Sequence, residues 1–519
     1  MRLEAAAVAT AAGHKTAGRI EGPLLVLLLF LPMALAAAVR LPLFQDGASY
    51  LVEIMTDGSA VRHHRYAVLL VQAPAIAALK ISAHLGLDPV GQLRWTSALF
   101  NAAYALAPAV AMAWSWVLVR DRDRRLMVWP ALLLLLNQVN FSSVSEILMA
   151  VQFACPLMLA ACQSRLRPRD YLTIALLLPV VVTLHALTLL LLLGTAAGLL
   201  VRARVGAQTS RMSRRLALLF AAAAIVRLLI DAFTLTDYEH EMLAPPQVAA
   251  YFAFSPEAAA FLAALVLLGL AHGVATVRRA PALPPLFVVL AIAGLALAGA
   301  NVFAAAQRGE APHAAFATPL IVIAMATAAT VRLWRARDVA GWTRTGLVAA
   351  WWTAAATTSS WLVLDLFPLK SGTTVAIGAL ILALIGRDSL LVERADSATW
   401  RRLLTANFIL LFALMLMGKA ATWHSATERL DQARASQGGA CVERRQASWL
   451  RQPPFTILDN WALPSLSMVS PSAGTTRLVL EAGDCAVLRR DGLLVIDPWS
   501  RAPVENLPFV RMPQGEHGQ

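Results

Sequence analysis

Residues 40–65, RLPLFQDGASYLVEIMTDGSAVRHHR, are the first polar stretch in a chain dominated by long apolar runs. An apolar segment precedes this stretch at residues 23–39, and another follows it at residues 66–85. It contains three carboxylates and ends in a run of four basic side chains: Asp46, Glu53, Asp57, Arg62, His63, His64 and Arg65. A polar stretch in this position predicts a loop beside a membrane, in a protein built from membrane helices.

The composition also indicates a membrane protein. Of 519 residues, 58% are hydrophobic and only 14% are charged, and the mean hydropathy is +0.63. These values are too apolar for a soluble protein of this length. The net charge of +13 would suit nucleic-acid binding, but the cations recur between apolar runs, which is the pattern of orientation signals in membrane proteins.

The apolar runs predict about thirteen transmembrane helices, since a span needs about 17 to 25 apolar residues. The first covers residues 23–39, and the others centre near Ala107, Leu134, Leu157, Leu177, Leu193, Ala223, Val266, Ile292, Ile323, Ala354, Leu380 and Leu411. Residues 66–85 contain Pro74, Lys80 and His84, so we interpret them as a helix that lies along the membrane interface.

Basic residues cluster at alternate connections of this helix series, as at Arg122, Arg169, Arg202 and Arg387. If residues 66–85 do not span the membrane, every cluster falls on the side of the N-terminus. The positive-inside rule then places the N-terminus in the cytoplasm, and the first loop and the C-terminus outside. If those residues do span, the clusters fall on the side opposite the N-terminus.

Two domains are predicted. Residues 1–423 form a membrane domain that carries the first loop, 40–66, and the interfacial helix, 66–85. Residues 424–519 form a small β-rich outer domain, with a helical connector at 425–437, strands near 477–481 and 486–488, and a hairpin turn at Asp491-Gly492. Cys441 and Cys485 of this domain either form a disulfide, which fits an oxidising exterior, or stay free. Cys155 and Cys162 fall in a span and are interpreted as packing residues.

Asp46 and Glu146 are the candidate catalytic carboxylates. Asp46 follows the first span, where it could act as a general base or be an ordinary solvated aspartate, and the adjacent Gly47 would let a ligand approach the backbone. Glu146 is expected at the outer start of the fourth span, facing Asp46 across a cavity or merely favouring the helix dipole. The pair could share a divalent metal, Mg²⁺ or Mn²⁺. Glu53 and Asp57, four residues apart and so able to share a helix face, are expected to be solvated charges, with a role in the site as the alternative.

Five basic residues are candidates for binding a phosphate. Arg62, His63, His64 and Arg65 could hold it at the headgroup level, or simply contact anionic lipids. Arg308, on a later outer turn, is the fifth candidate.

The pattern resembles the GT-C superfamily of membrane glycosyltransferases, which use polyprenyl-phosphate-linked sugars. The resembling parts are the outer loop with Asp46, the Arg65-Tyr66 start of the interfacial helix, the outer Glu146, and the sequence Leu93-Arg94-Trp95-Thr96-Ser97-Ala98-Leu99-Phe100, which opens an inward span. An outer domain after the last helix is also common in that superfamily. This chain departs from the pattern at Asp46, whose neighbours Gln45 and Gly47 form no double-acidic pair with it.

The resemblance implies an all-α polytopic enzyme of a bacterial inner membrane with a periplasmic active site. Asp46 would activate an acceptor hydroxyl on a glycan, lipid or protein, and a single sugar would be transferred with inversion. The basic residues of the first loop, with Arg308, would hold the phosphate of the polyprenyl donor.

Two other functions stay open. A secondary transporter or flippase of a lipid-linked or anionic substrate would use ionisable residues near mid-bilayer, such as Arg227 and Asp231. These two residues, four apart in the seventh span, could equally form an internal ion pair. An O-antigen-ligase-like enzyme would also work on the outer side. No P-loop, dinucleotide-binding, HExxH or GxSxG motif occurs in the sequence, so ATP hydrolysis and NAD chemistry are not expected.

Overall fold

The computed structural model describes residues 26–61, 65–137, 144–205, 210–234, 236, 240–241, 244–251, 371–391, 397–436, 441–445, 447, 450, 458, 462–470 and 478–480. This part of the chain is mostly helical. The helices are α1 (Val26–Ala38), α2 (Asp46–Asp57), α3 (Leu69–His84), α4 (Pro89–Val119), α5 (Val128–Leu136), α6 (Glu146–Ala161), α7 (Pro168–Leu184), α8 (Thr188–Val205), α9 (Ser210–Thr234), α10 (Pro245–Tyr251), α11 (Ser371–Leu391), α12 (Ser397–Ser436) and α13 (Leu463–Val469). Short 3-10 turns at Leu41–Leu43, Tyr66–Val68 and Arg124–Met127 join some of them.

Five helical segments of the described residues are long and apolar enough to cross a membrane: Tyr66–His84, Pro89–Val119, Thr188–Val205, Ser210–Thr234 and Gly372–Ser389. The predicted class, a helical membrane protein, is confirmed at this level. Every predicted span centre in the described residues falls within a helix. The centres at Val266, Ile292, Ile323 and Ala354 lie outside the described residues, so the number of spans stays a prediction.

Several predicted basic clusters meet at one end of the helix bundle, which we call the basic end. Arg122, three residues after α4, binds both oxygens of Asp170 on α7, at 3.2 and 2.7 Å, and Arg169 binds Asp121 at 2.9 Å. Arg202 at the end of α8 donates to Ser389 near the end of α11. The opposite end, where Glu146 begins α6, is the end that the sequence predicts to face outward, and for that reason we call it the outer end.

Helices α8 and α11 run parallel and touch through glycines. A Cβ added to Gly198 would lie 2.8 Å from the Leu382 carbonyl oxygen, and one added to Gly386 would overlap the Gly198 carbonyl. Glycine allows the two backbones to approach closely. Close packing of this kind stabilises helix association in a membrane, where the surrounding lipid is as apolar as the helices and the hydrophobic effect contributes little.

Helix α3 does not lie alongside α7 over its whole length. Trp114 of α4 donates to Thr173 of α7 at 2.9 Å, and the two helices are antiparallel. Counting the rise of about 1.5 Å per residue from that contact, the end of α7 is level with about Ala103. Residues 89–102 of α4 therefore extend about 20 Å past the outer end of α7. Helix α3 packs along this extension, since Gln72 contacts Tyr104 and only residues 85–88 separate α3 from α4.

This arrangement places most of α3 beyond the outer end of α7, although its length and composition would suffice for a span. The interfacial position of residues 66–85 stays a prediction, because α3 packs alongside α4 and Tyr66–His84 is also one of the five segments that could cross a membrane. Tyr66, Leu70, Ile81 and Leu85 are 58–68% exposed on this hairpin.

The C-terminal segment packs over the first loop. Helix α12 extends without a break through the predicted connector to Ser436, and its Trp423 meets Phe44 edge-on at 5.6 Å. Helix α13 packs on α2. The fully buried Arg434 donates to the Ser467 carbonyl at 2.8 Å and the Ser470 hydroxyl at 2.7 Å, and burial lowers its pKa to about 10. The first loop and the C-terminal segment thus lie at the same end of the bundle.

The described part of the C-terminal segment contains little sheet. Strands β1 (Cys441–Glu443) and β2 (Leu478–Leu480) pair in parallel, so the strand predicted near 477–481 is confirmed. The predicted hairpin at Asp491-Gly492 lies outside the described residues. Cys441 is disulfide-bonded, and Cys155 and Cys162 are free and buried as predicted. Cys485 lies outside the described residues.

Candidate functional site

Asp46 is the first residue of α2 and follows a strained turn. Gln45 has φ 54° and ψ −121°, and Arg40, just before the 3-10 turn, has φ 60°. Side chains with a Cβ rarely adopt positive φ, and each such residue costs about 1–3 kcal/mol. Strain of this kind concentrates at functional sites. The half-buried Asp46 therefore directly follows a backbone conformation that lowers the stability of the fold.

Gly47 is needed for close packing of the chain on itself, which corrects the interpretation that it leaves room for a ligand. A Cβ at this position would overlap the Pro42 carbonyl and lie 3.1 Å from Val144 Cγ2. The start of α2 therefore presses on the segment that leads into α6. The close approach brings the two candidate carboxylates, Asp46 and Glu146, to the same end of the bundle.

Glu146 is the centre of a buried polar network. It is only 4% exposed, its Oε1 accepts the hydroxyl of Tyr50, and its Oε2 lies 3.3 Å from Arg65 Nη1. Tyr50 is four residues after Asp46, and residues at this spacing lie on the same face of a helix. Glu146, Tyr50, Arg65 and Asp46 are called the outer cluster below.

Tyr50 was not among the predicted site residues, which were all carboxylates or basic side chains. Its spacing from Asp46 could have revealed it. Glu53 was expected to be solvated, but it is 5% exposed because α13 and the bundle cover α2. Asp57, at the far end of α2, is exposed as expected.

Gln72 anchors the loop that leads from α2 to Arg65. Its amide oxygen accepts the Ala60 N–H at 3.1 Å, and its amide nitrogen donates to the Ala60 carbonyl at 2.7 Å. Both bonds are buried, and together they pair the backbone N–H and C=O of Ala60 as an adjacent β-strand would. Gln72 thereby holds the loop against α3 a few residues before Arg65.

Of the predicted phosphate ligands, Arg65 alone falls in the described residues. Its side chain is 15% exposed and makes the ion pair with Glu146. Arg62, His63, His64 and Arg308 lie outside the described residues, and their roles stay predictions.

A metal shared by Asp46 and Glu146 also stays a prediction. Both oxygens of Glu146 already have partners, and the Arg65 guanidinium supplies the positive charge that a metal would bring. No group of three or more His, Cys, Asp or Glu side chains converges within the described part of the chain.

An apolar cleft of about 460 Å³ begins beside the outer cluster. It lies between α3, α4, α6 and α7, and the described residues that line it are all apolar or aromatic. At its outer end are Ala67, two residues after Arg65, and Met149, three residues after Glu146. Deeper along α4 it reaches Trp114.

The intramembrane pair has a structural explanation. On α9, Arg227 binds Asp231 on the next turn and donates to the Val182 carbonyl of α7 at 2.9 Å. His185, at the turn before α8, accepts the Leu187 N–H through Nδ1 at 3.1 Å. The contact of Arg227 with Asp231 is the internal ion pair that the sequence left open as one of two alternatives.

No protein-family model, curated protein or solved structure matches this chain. The site is therefore interpreted from its own geometry.

Proposed function

We propose that this protein is an integral-membrane glycosyltransferase that moves a single sugar from a polyprenyl-phosphate donor to an acceptor on the outer side. The outer cluster supports the proposal: a buried carboxylate contacts a tyrosine and an arginine, and an aspartate follows a strained turn at the same end of the bundle. A carboxylate for the acceptor and a guanidinium for the donor phosphate are the two groups that such a transfer needs.

In the proposed reaction, Asp46 takes the proton of the acceptor hydroxyl while that oxygen attacks the anomeric carbon of the sugar. The bond from that carbon to the phosphate oxygen breaks, and polyprenyl phosphate leaves with the bonding electrons. Arg65 stabilises the charge that develops on the leaving phosphate. One direct displacement inverts the anomeric carbon.

Glu146 is assigned a positioning role here. Its carboxylate sets the direction of the Arg65 guanidinium, which can serve two oxyanions because it carries five N–H donors. The Tyr50 hydroxyl holds the carboxylate in turn. The remaining phosphate contacts would come from Arg62, His63, His64 and Arg308.

The proposal includes the finer topology expected from the sequence. This is about thirteen spans, an interfacial α3, a cytoplasmic N-terminus and a β-rich outer domain, in a bacterial inner membrane. Labelling of cysteines introduced on α2 and α13 with a membrane-impermeant reagent, in intact and in permeabilised cells, would test the side of the membrane on which these helices lie.

The test uses purified protein in detergent with a panel of polyprenyl-phosphate sugars, with and without Mg²⁺ or Mn²⁺. Asp46→Asn should abolish turnover of the accepted donor. Asp57→Asn is the matched control, because it makes the same change on an exposed residue at the other end of α2, and it should retain turnover. Equal turnover in both variants would refute Asp46 as the base. Absence of turnover with every donor in the folded wild type would favour a transporter or an O-antigen-ligase-like enzyme instead.

A further inference from the structure

Three helices meet at Arg40, which follows α1 at the outer end of the bundle. The 3-10 turn that begins directly after it, Leu41–Leu43, packs against both α4 and α12. Arg94 of α4 and Asp431 of α12 act electrostatically on the Arg40 guanidinium. Arg40 itself has φ 60°, a backbone conformation that is costly for a residue with a side chain. The chain thus brings two guanidinium groups together at a strained position.

The positive charge at this point exceeds the negative charge. Arg40 is half-buried and Arg94 is exposed, and with the described residues neither guanidinium makes a hydrogen bond or an ion pair within 4.0 Å. The carboxylate of Asp431 already binds Arg434, at 3.2 Å. Burial lowers the pKa of Arg40, Asp431 raises it, and Arg94 lowers it further. One carboxylate therefore has three arginines around it.

An oxyanion would correct this imbalance. A partly buried guanidinium without a hydrogen-bond acceptor is unfavourable, and two like charges at short range repel each other. An anion between Arg40 and Arg94 would accept N–H groups from both and offset their repulsion. A phosphate suits this position best, since its oxygens match the fork of N–H donors that a guanidinium presents.

The surface next to Arg94 is apolar and exposed. Trp95 is 59% exposed, and so is Ile81 at the end of α3, while Leu85 is 68% exposed. Because residues 85–88 fold α3 back on α4 as a hairpin, Ile81 and Leu85 lie level with the first turns of α4. A tryptophan in such a place is typical of the headgroup region of a membrane. A ligand with hydrocarbon attached to its phosphate would cover this surface, whereas a free anion would not.

We propose that Arg40 and Arg94 bind the phosphate of an anionic phospholipid at the outer end of the bundle. A zwitterionic lipid is disfavoured, because its own cation would approach two guanidinium groups. This lipid site uses none of the groups of the outer cluster. A lipid bound there would join α1, α4 and α12 at the turn that leads to Asp46, and so would support the strained backbone before that residue.

The experiment places a photoreactive residue at Ala98 or at Phe233 in the purified full-length protein. Ala98 is exposed and lies one turn after Arg94 on the same face of α4. Phe233 is 85% exposed near the end of α9 and reports ordinary contact with lipid. The protein is placed in nanodiscs with equal amounts of phosphatidylglycerol and phosphatidylcholine, and one of the two lipids is radiolabelled in each sample. We expect the ratio of phosphatidylglycerol to phosphatidylcholine labelling at position 98 to be at least fivefold the ratio at position 233.

Arginine variants test whether the pair causes this preference. Arg40→Gln and Arg94→Gln should each reduce the ratio at position 98 to the ratio at position 233. Arg94 is exposed, so Arg94→Gln gives a folded protein even if Arg40→Gln does not. Arg120→Gln is the matched control, because it makes the same change on an exposed arginine just past the other end of α4, and it should retain the preference.

Three results would overturn the lipid site. They are equal ratios at the two labelled positions, a preference that survives either substitution in a folded protein, and a preference that inorganic phosphate abolishes when sodium chloride of the same ionic strength does not. The last result would assign the arginine pair to a free anion. Because the assay contains no sugar and measures no turnover, its outcome does not depend on the proposed function.

Discussion

Replacing Glu146 with glutamine removes one charge from the outer cluster and keeps the shape of the side chain. The glutamine oxygen can still accept the Tyr50 hydroxyl, so the change isolates the 3.3 Å contact with Arg65. Glu146 is 4% exposed and the Arg65 side chain 15%, so the arginine loses this carboxylate where little water can replace it. Breaking a buried pair costs about 3–5 kcal/mol, and the residual exposure of Arg65 puts our expectation at about 3 kcal/mol.

The two free cysteines make this loss measurable. Cys155 and Cys162 are buried at α6, the helix that Glu146 begins, so a thiol-reactive fluorophore reports their exposure as the protein is heated in detergent. For a chain of this length, we expect Glu146→Gln to lower the unfolding temperature by roughly 3 °C. Glu428→Gln is the control, because Glu428 is 61% exposed in a pair with His424, and it should change stability by less than about 0.5 kcal/mol.

A double variant distinguishes the ion pair from general damage. If Arg65 and Glu146 interact as the structure shows, Arg65→Gln with Glu146→Gln should be more stable than the sum of the single losses predicts. The expected coupling is about 1–3 kcal/mol. Losses that simply add would mean that the two side chains do not interact, and the reasoning about the outer cluster would fail.

Four further changes can be measured with the same protein. Gln72→Leu leaves both backbone groups of Ala60 unpaired and should cost about 2–4 kcal/mol in the thiol assay, and an unchanged unfolding temperature would contradict its anchoring role. Gln45→Gly relieves the positive φ and should raise stability by about 1 kcal/mol, whereas Gln45→Ala should not. Gly386→Val forces α8 and α11 apart and should cost at least about 1–3 kcal/mol in that assay. Arg434→Met removes the buried donor to α13, so a protease should release the C-terminal segment faster than from wild type.

The helices were predictable because a long apolar run has few alternatives in a membrane. The positions near Leu157, Leu193 and Leu380 became helices for that reason. The shared basic end was predictable too, because Arg122 and Arg169 lie in alternate connections of the helix series. In the structure each of them binds an aspartate of the other connection.

The close contacts of the site were beyond prediction from the sequence. Glu146 and Tyr50 are 96 residues apart, and Gln72 meets Ala60 only because α3 folds back on the loop. Such contacts depend on how the helices pack, and the hydrophobic periodicity of a single segment does not determine its packing partners. Gly47 shows the same limit: glycine indicates a close approach, but not whether a ligand or the chain itself approaches.

The outer cluster concentrates features that do not favour stability. A buried ion pair is often no more stable than apolar residues of the same size, yet Glu146 and Arg65 form one at this end of the bundle. The strained Gln45 adds a cost of about 1–3 kcal/mol immediately before Asp46. Elsewhere in the described residues, at the basic end, Asp170 instead closes a helix start and joins α4 to α7, which stability alone explains. Because the buried ion pair and the strained turn coincide at one end of the molecule, beside the apolar cleft, we expect the chemistry at that end.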